Sequence, residues 1–252
     1  MKDKTLYITG AGVSAESGIP TFRGEDGFWT IGSINYTPQE MATRRMYQEK
    51  PDEFLLWYYK RFATYSHIKP NNVHYWLSDK KLITQNIDGL DGKAGNSKYI
   101  PIHGRLDKVT VFHEQGKNVS FLNAPWQHVA EEAELNDDDN FLKKILLESF
   151  KISAKTLKPE LEISLKPFVL LFDEYYTDLY RMSEAEYWMN NANKFVFIGT
   201  SFSVNITSIA LQYALSKDCE IDIVDPNPID LGHSSVTYHQ MTAKEFILKN
   251  SK

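Results

Sequence analysis

Short apolar runs that each stop at a small or polar residue constrain this chain more than any other feature. Thr5-Leu-Tyr-Ile-Thr9, in a strand read over 4–9, stops at Gly10, and Leu82-Ile-Thr84 stops at Gln85. Phe195-Val-Phe-Ile198 stops at Gly199, and Ile221-Asp-Ile-Val224 at Asp225. Another short strand precedes His103-Gly104, and Phe168-Val-Leu-Leu-Phe172 reads as one more. Between them lie helical patterns: residues 51–65, opened by Pro51 and Asp52, with Phe54, Leu55, Tyr58 and Phe62 recurring; Val73–Leu77 behind Pro70-Asn-Asn; and Thr242–Lys249. The alternation predicts an α/β fold, a Rossmann-like parallel sheet with helices on both faces. Ligands of such sheets bind beyond the carboxyl ends of the strands, so Gly10, Gln85, Gly199 and Asp225 are expected to line one crevice.

Residues 105–166 change character, with an acidic run at Asp137–Asp139, an amphipathic helical piece at Phe141–Phe150 and few strand signals. They read as an insertion that builds a smaller, mostly helical subdomain. The expected division is a large domain from 1–29, 66–104 and 167–252 and a small one from 30–65 and 105–166, together one catalytic unit over 1–252.

Composition closes several classes of function. The hydrophobic fraction of 42% and charged fraction of 24% are those of a globular chain. No apolar stretch is long enough for a membrane helix, and a run without a signal segment at the start predicts a cytoplasmic protein. Asp plus Glu outnumber Lys plus Arg by 33 to 28, a net charge of −5, which argues against nucleic acid as a partner. The single cysteine, Cys219, excludes an intrachain disulfide and a zinc site of three or four cysteines.

The first strand end carries the clearest chemistry. Gly10-Ala11-Gly12 lets the backbone turn tightly and approach a ligand, Ser14 and Ser17 can cap a following helix, and that helix start suits a pyrophosphate. Arg23 adds a guanidinium able to fork onto phosphate. Asn86 and Asp88, two apart, project the same way from an extended segment.

The run GAGVSAESGIPTFRG, from Gly10 to Gly24, resembles the first signature of the sirtuins, NAD-dependent protein-lysine deacylases. Thr84-Gln85-Asn86-Ile87-Asp88 resembles their second, His103-Gly104 their third, and Pro70-Asn71 with His74, and Gly199-Thr200-Ser201 with Val204, fit as well. The resemblance runs from residue 4 to about 245 and leaves out 105–166. It implies NAD as cofactor, an acyl-lysine protein or peptide as partner, and transfer of the acyl group to ADP-ribose with release of nicotinamide. In that chemistry the acyl oxygen attacks the nicotinamide ribose, and His103 then deprotonates the ribose diol, a role suited to a side chain with an unperturbed pKa of about 6.5. Asn86 would contact the ribose and Asp88 the nicotinamide carboxamide, completing the catalytic set. The implied NAD site comprises Gly10, Ala11, Gly12, Ser14, Thr21, Phe22, Arg23, Gln85, Asn86, Ile87, Asp88, His103, Gly199, Thr200, Ser201, Asp225 and Ala243. Asp225 would take the adenosine ribose hydroxyls and repel a 2′-phosphate; Ala243 would pack near adenine. Val169 and Phe172 would contact the substrate.

Tyr58 and Arg61, at i and i+3, share a helix face. With Thr37-Pro38 and Pro51, they are similar to the Tyr-x-x-Arg pair of the sirtuins that remove malonyl and succinyl groups, where a guanidinium can fork onto the acyl carboxylate. An aromatic core helix with a solvated arginine is the competing reading. Two departures from the family stand out. The paired cysteines that bind zinc in most sirtuins are absent, and His113, Glu114 and His128 match no zinc spacing, so the small subdomain is expected to be metal-free, held by Trp126, Phe141, Leu142, Ile145, Leu146 and Phe150. Asp173 stands where a glycine is usual in a segment that pairs with substrate peptide. These departures keep an NAD glycohydrolase or ADP-ribosyltransferase open as the alternative, and a silent NAD-binding module behind it, against which the retained His103 argues. A monomer is expected.

Overall fold

The computed structural model describes residues 4–21, 36–61, 65 and 67–250. Phe22, Arg23 and Phe62 lie outside the described residues, as does the side chain of Arg61. In chain order the elements begin with β1 (Thr5–Thr9), α1 (Pro38–Met41), α2 (Arg44–Glu49), α3 (Pro51–Arg61), α4 (Asn72–Leu77), β2 (Leu82–Thr84), α5 (Leu90–Lys93) and β3 (Ile100–Pro101). There follow β4 (Gly104–Val111), β5 (Leu122–Asn123), α6 (Trp126–Leu135), α7 (Asp139–Ser149) and β6 (Leu165–Val169). The chain continues through α8 (Met182–Asn191), β7 (Lys194–Ile198), α9 (Asn205–Ser216), β8 (Glu220–Asp225), β9 (Val236–Gln240) and α10 (Ala243–Asn250). No helix among the described residues is long and apolar enough to cross a membrane.

Two compact units result. The first comprises residues 1–21, 68–102 and 181–252. Its sheet has six strands in the order β3-β2-β1-β7-β8-β9, every neighbouring pair parallel. The expected Rossmann-like sheet is therefore present. The order grows outward in both directions from β1 and β7, so the chain reverses between these two strands. That is the switch point at which open α/β sheets leave a crevice. Leu6, Ile8, Leu82, Ile83, Phe195, Phe197, Ile221 and Ile223 are each no more than 1% exposed, which explains the unbroken apolar runs. Val13, Val73, Leu77, Ile198, Val224, Phe246 and Ile247 form a core cluster with Tyr7 and Trp76 against it.

The second unit comprises residues 22–67 and 103–180. It is mostly helical, but its helices accompany a three-stranded sheet, β5-β4-β6, with antiparallel pairs. Here the structure corrects the sequence reading. β4 is the longest strand among the described residues and lies in a stretch read as poor in strand signals. Its charges hid it: Arg105 and Asp107 pair with each other at 2.6 Å while Leu106 and Val109 are buried. The run read as a strand over 168–172 is β6, shifted to Leu165–Val169; its register pairs Phe168 with Arg105, so it belongs to this sheet and not to the parallel one. Helix α3 is buried from Phe54 through Tyr59, six consecutive residues, which removes the one-faced pattern read from its spacing. Trp126, Leu142, Leu146 and Phe150 are buried as expected, with the Trp126 and Phe150 rings 4.9 Å apart, while Phe141 and Ile145 are half-buried. The acidic run is structural: Asp138 caps α7 through the Asn140 and Phe141 amides, and Asp139 pairs with Lys60. Among the described residues no group of three or more His, Cys, Asp or Glu side chains is arranged to hold a metal ion.

Candidate active site

The first unit gathers its polar side chains at the carboxyl ends of β1, β2 and β7. β1 runs into two 3-10 turns, Ala11–Val13 and Ala15–Ser17, in place of the expected α-helix start. Glycine is required at 12 and 199 by the protein's own backbone: a Cβ on Gly12 would lie 2.6 Å from Gly199 Cα, and Gly199 has φ of +60°. The strand-end loops touch, so the protein's own backbone already requires glycine at both positions.

Ser14, 1% exposed, is the centre of the network. Sequence reading made it a helix cap, but its hydroxyl caps nothing. It donates to Asp88 Oδ2 at 2.7 Å and accepts from Asn86 Nδ2 at 3.1 Å. Asn86 Nδ2 also reaches the Gly10 carbonyl at 3.0 Å, and Asp88 Oδ1 accepts from Leu90 N–H at 2.8 Å. Asn86 and Asp88 thus converge as their spacing predicted. Ser17 is no cap either; it accepts from Asn71 Nδ2 at 3.0 Å, and the same amide nitrogen reaches the Val13 carbonyl at 2.8 Å.

His74 joins this group. Its Nδ1 accepts the Asn71 N–H at 3.2 Å, so the neutral ring carries its proton on Nε2, which faces Ser14 Oγ at 3.4 Å. Burial pushes the imidazole below its ordinary pKa, and the Asp88 charge opposes that. His74 was visible in sequence only as part of a motif; its contact with Ser14 was not. Asp91, 2% exposed, is a further addition: burial, then the neighbouring Asp88 charge, raise its carboxyl to about 7, and among the described residues its Oδ1 has no hydrogen-bond partner.

Gln85 Nε2 donates to the Thr9 carbonyl and to Thr200 Oγ1, each at 3.0 Å, tying β2 to the β7 loop. Ser201 Oγ pairs with Ser203 Oγ at 2.9 Å. Asp225 ends β8 half-buried, its Oδ1 accepting from Asn227 N–H at 2.8 Å. Ile87 and Ala243 are half-buried, Ala243 against the core cluster at the start of α10, and Thr21 is the last described residue before residue 36.

A dinucleotide suits this edge. Among the described residues, the backbone N–H groups of Ala11, Thr200 and Ser201 donate to no protein acceptor, and they sit at the ends of the two switch-point strands. Such amides bind phosphate oxygens. Among the described residues no donor reaches Asp225 Oδ2, which can accept from sugar hydroxyls.

The second unit holds His103, two residues beyond β3 and half-buried, its Nε2 3.0 Å from the Tyr176 hydroxyl. Tyr176 was missed, because a tyrosine 73 positions away leaves no local signal. Phe172 is 53% exposed and its N–H donates to the Ala42 carbonyl; Val169 is 1% exposed and offers only a carbonyl, already taken by Lys166 and Tyr180. Asp173 has a structural cause: its two oxygens accept the Arg44 and Arg45 amides at 2.6 and 3.0 Å, capping α2. Tyr58 is 3% exposed, its ring against Phe54 and Trp57, and burial pushes its hydroxyl well above the ordinary tyrosine range.

The Sir2 family model matches residues 10–206 of the chain. The NAD-dependent protein deacylase 1 of Caldanaerobacter subterraneus subsp. tengcongensis is 31% identical over 252 residues, covering 97% of this chain and 91% of that protein. The NAD-dependent protein deacylase of Bacteroides thetaiotaomicron is 29% identical over 240 residues, covering 93% and 89%. Among solved structures, a Sir2 homologue mutant in complex with ADP-ribose is similar with a TM-score of 0.72 and 25% identity, over 98% of this chain and 90% of that one.

Proposed function

The chain belongs to the Sir2 family, and on that premise we propose that it is an NAD-dependent protein-lysine deacylase acting on an acyl-lysine protein or peptide. The observation that carries the reading is the convergence of Asn86 and Asp88 on buried Ser14 beside the switch-point strands. NAD, when bound, supplies an electrophilic ribose carbon and the acceptor for the acyl group. The Ala11, Thr200 and Ser201 amides would hold its pyrophosphate, and Asp225 would take sugar hydroxyls. Asp88 keeps a second lone pair on each carboxylate oxygen after its contacts with Ser14 and Leu90, enough to accept from a carboxamide NH2. The Ser14 and Leu90 contacts fix that carboxylate, so no reorganisation is needed when charge develops. His103 serves as the base that takes the proton of a sugar hydroxyl.

Incubation with NAD and a succinyl-lysine peptide, an acetyl-lysine peptide, or no peptide tests this. Nicotinamide release only with peptide supports the deacylase; equal release without peptide overturns it in favour of a glycohydrolase. The finer reading is a preference for malonyl and succinyl groups, supported by Tyr58 and Arg61 one turn apart on α3. Tyr58 itself is 3% exposed and packs against Phe54 and Trp57, so the test of this reading falls on Arg61. Arg61→Met should then reduce succinyl turnover far more than acetyl turnover, and equal losses would refute the preference.

A further inference from the structure

His103 is held twice by one segment of chain. Its carbonyl accepts from Leu170 N–H at 2.9 Å, and its Nε2 lies 3.0 Å from the Tyr176 hydroxyl. The two rings are nearly parallel, 23° apart with centroids 5.9 Å from each other. The next residue, Gly104, has φ of +85°, and a Cβ there would come 2.1 Å from the Phe168 carbonyl oxygen. That close approach locks the turn presenting His103 onto β6.

The segment carrying Tyr176 is itself fixed. Leu171 N–H donates to Glu174 Oε2 at 3.1 Å, and Glu174 pairs with both Arg44 and Lys166. Asp173 caps α2, and Tyr175 N–H donates to Gln115 Oε1 at 3.2 Å. A side chain anchored in so constrained a loop presents its hydroxyl at one place.

From these contacts we infer that Tyr176 is a positioning residue for His103: its phenolic oxygen accepts from Nε2–H of the neutral imidazole, keeps the resting proton on Nε2 so that the basic lone pair is on Nδ1, and sets the orientation of the ring. The inference rests on His103 being the base of the reaction proposed above. A phenol hydroxyl suits both states of that base. Nε2–H is present in the neutral ring and in the ring that has gained a proton on Nδ1, so the phenol oxygen accepts from it in both, more strongly once the ring is charged. Holding the ring in one orientation removes a motion that would otherwise cost rate.

Tyr176→Phe keeps the ring and removes only the hydroxyl. Its kcat should fall about tenfold, the scale of one lost hydrogen bond, while KM for NAD stays within about twofold, as expected for a group that does not bind substrate. In a His103→Ala background the same change should cost nothing further, because the two residues act as one. Long-range ¹H–¹⁵N correlation of the imidazole, which needs no turnover, should show His103 with its proton on Nε2, moving towards Nδ1 in Tyr176→Phe. Full kcat and an unchanged imidazole spectrum in Tyr176→Phe overturn the inference but leave His103 as the base, provided that His103→Ala has lost activity. A further loss on top of His103→Ala also overturns it, since the tyrosine would then act elsewhere. Full activity in His103→Ala overturns the deacylase mechanism, and the inference with it.

Discussion

Ser14→Ala is the change whose consequence can be worked most fully from the contacts. The alanine fits without strain, so the effect is the loss of one hydroxyl at a site 1% exposed, which water cannot replace. The strongest loss is the 2.7 Å bond to the Asp88 carboxylate; a hydrogen bond to a charged group is worth about 1.5–3 kcal/mol. Asn86 keeps the Gly10 carbonyl and Asp88 keeps Leu90, so each retains a partner. His74 Nε2–H loses its contact at 3.4 Å and adds to the cost. The total is about 2–4 kcal/mol. Ser17→Ala, in the adjoining 3-10 turn, should cost less than about 1 kcal/mol, because Ser17 is half-exposed and Asn71 keeps the Val13 carbonyl. Urea unfolding followed by tryptophan fluorescence gives both values, and NAD titration gives the affinity, which should fall with Ser14→Ala and stay with Ser17→Ala. If the two serines cost the same, the network centred on Ser14 is not what orders this edge of the sheet.

Gly104→Ala should destabilise the chain by about 3 kcal/mol or more, from a positive φ and a clash with the Phe168 carbonyl, measured as a fall in the urea midpoint. Glu174→Gln removes the partner of Lys166, whose side chain is 2% exposed and whose ammonium is already disfavoured by burial; breaking such a pair costs about 3–5 kcal/mol. Lys166→Met should cost clearly less in the same assay, since Glu174 keeps Arg44 and the Val169 carbonyl keeps the Tyr180 hydroxyl. Asp91 has a native pKa of about 7 against about 3.9 unfolded, so its contribution is fully present below pH 4 and is lost as pH rises through 7. Asp91→Asn should therefore raise the melting temperature at pH 8 and flatten the decline between those values; an unchanged pH profile would refute the buried-acid assignment.

The parallel sheet was legible because its strands are buried on both faces and so read as apolar runs, and the small or polar residues at their ends marked the loading edge. β4 was not legible, since Arg105, Asp107 and Lys108 break its pattern and the strand is recognised only beside β6. That Asn86 and Asp88 project together was legible from spacing, their roles only from the resemblance, whereas the different tasks of Ser14 and Ser17 depend on partners 74 and 54 positions away. The glycines at 12 and 199 were legible as special, but their contact with each other was not: each makes room for the other. Asp173, which read as an obstacle to substrate, is a cap whose partner helix lies 129 positions earlier. Tyr176 and Lys166 gave no signal at all, because a tyrosine in a loop and a lysine in a strand read as surface residues.

Mass spectrometry of the products made from NAD and an acyl-lysine peptide tests the central claim most directly. The account predicts O-acyl-ADP-ribose and nicotinamide in equal amounts with deacylated peptide, all three collapsing in His103→Ala. Free ADP-ribose formed with the peptide left acylated would contradict it.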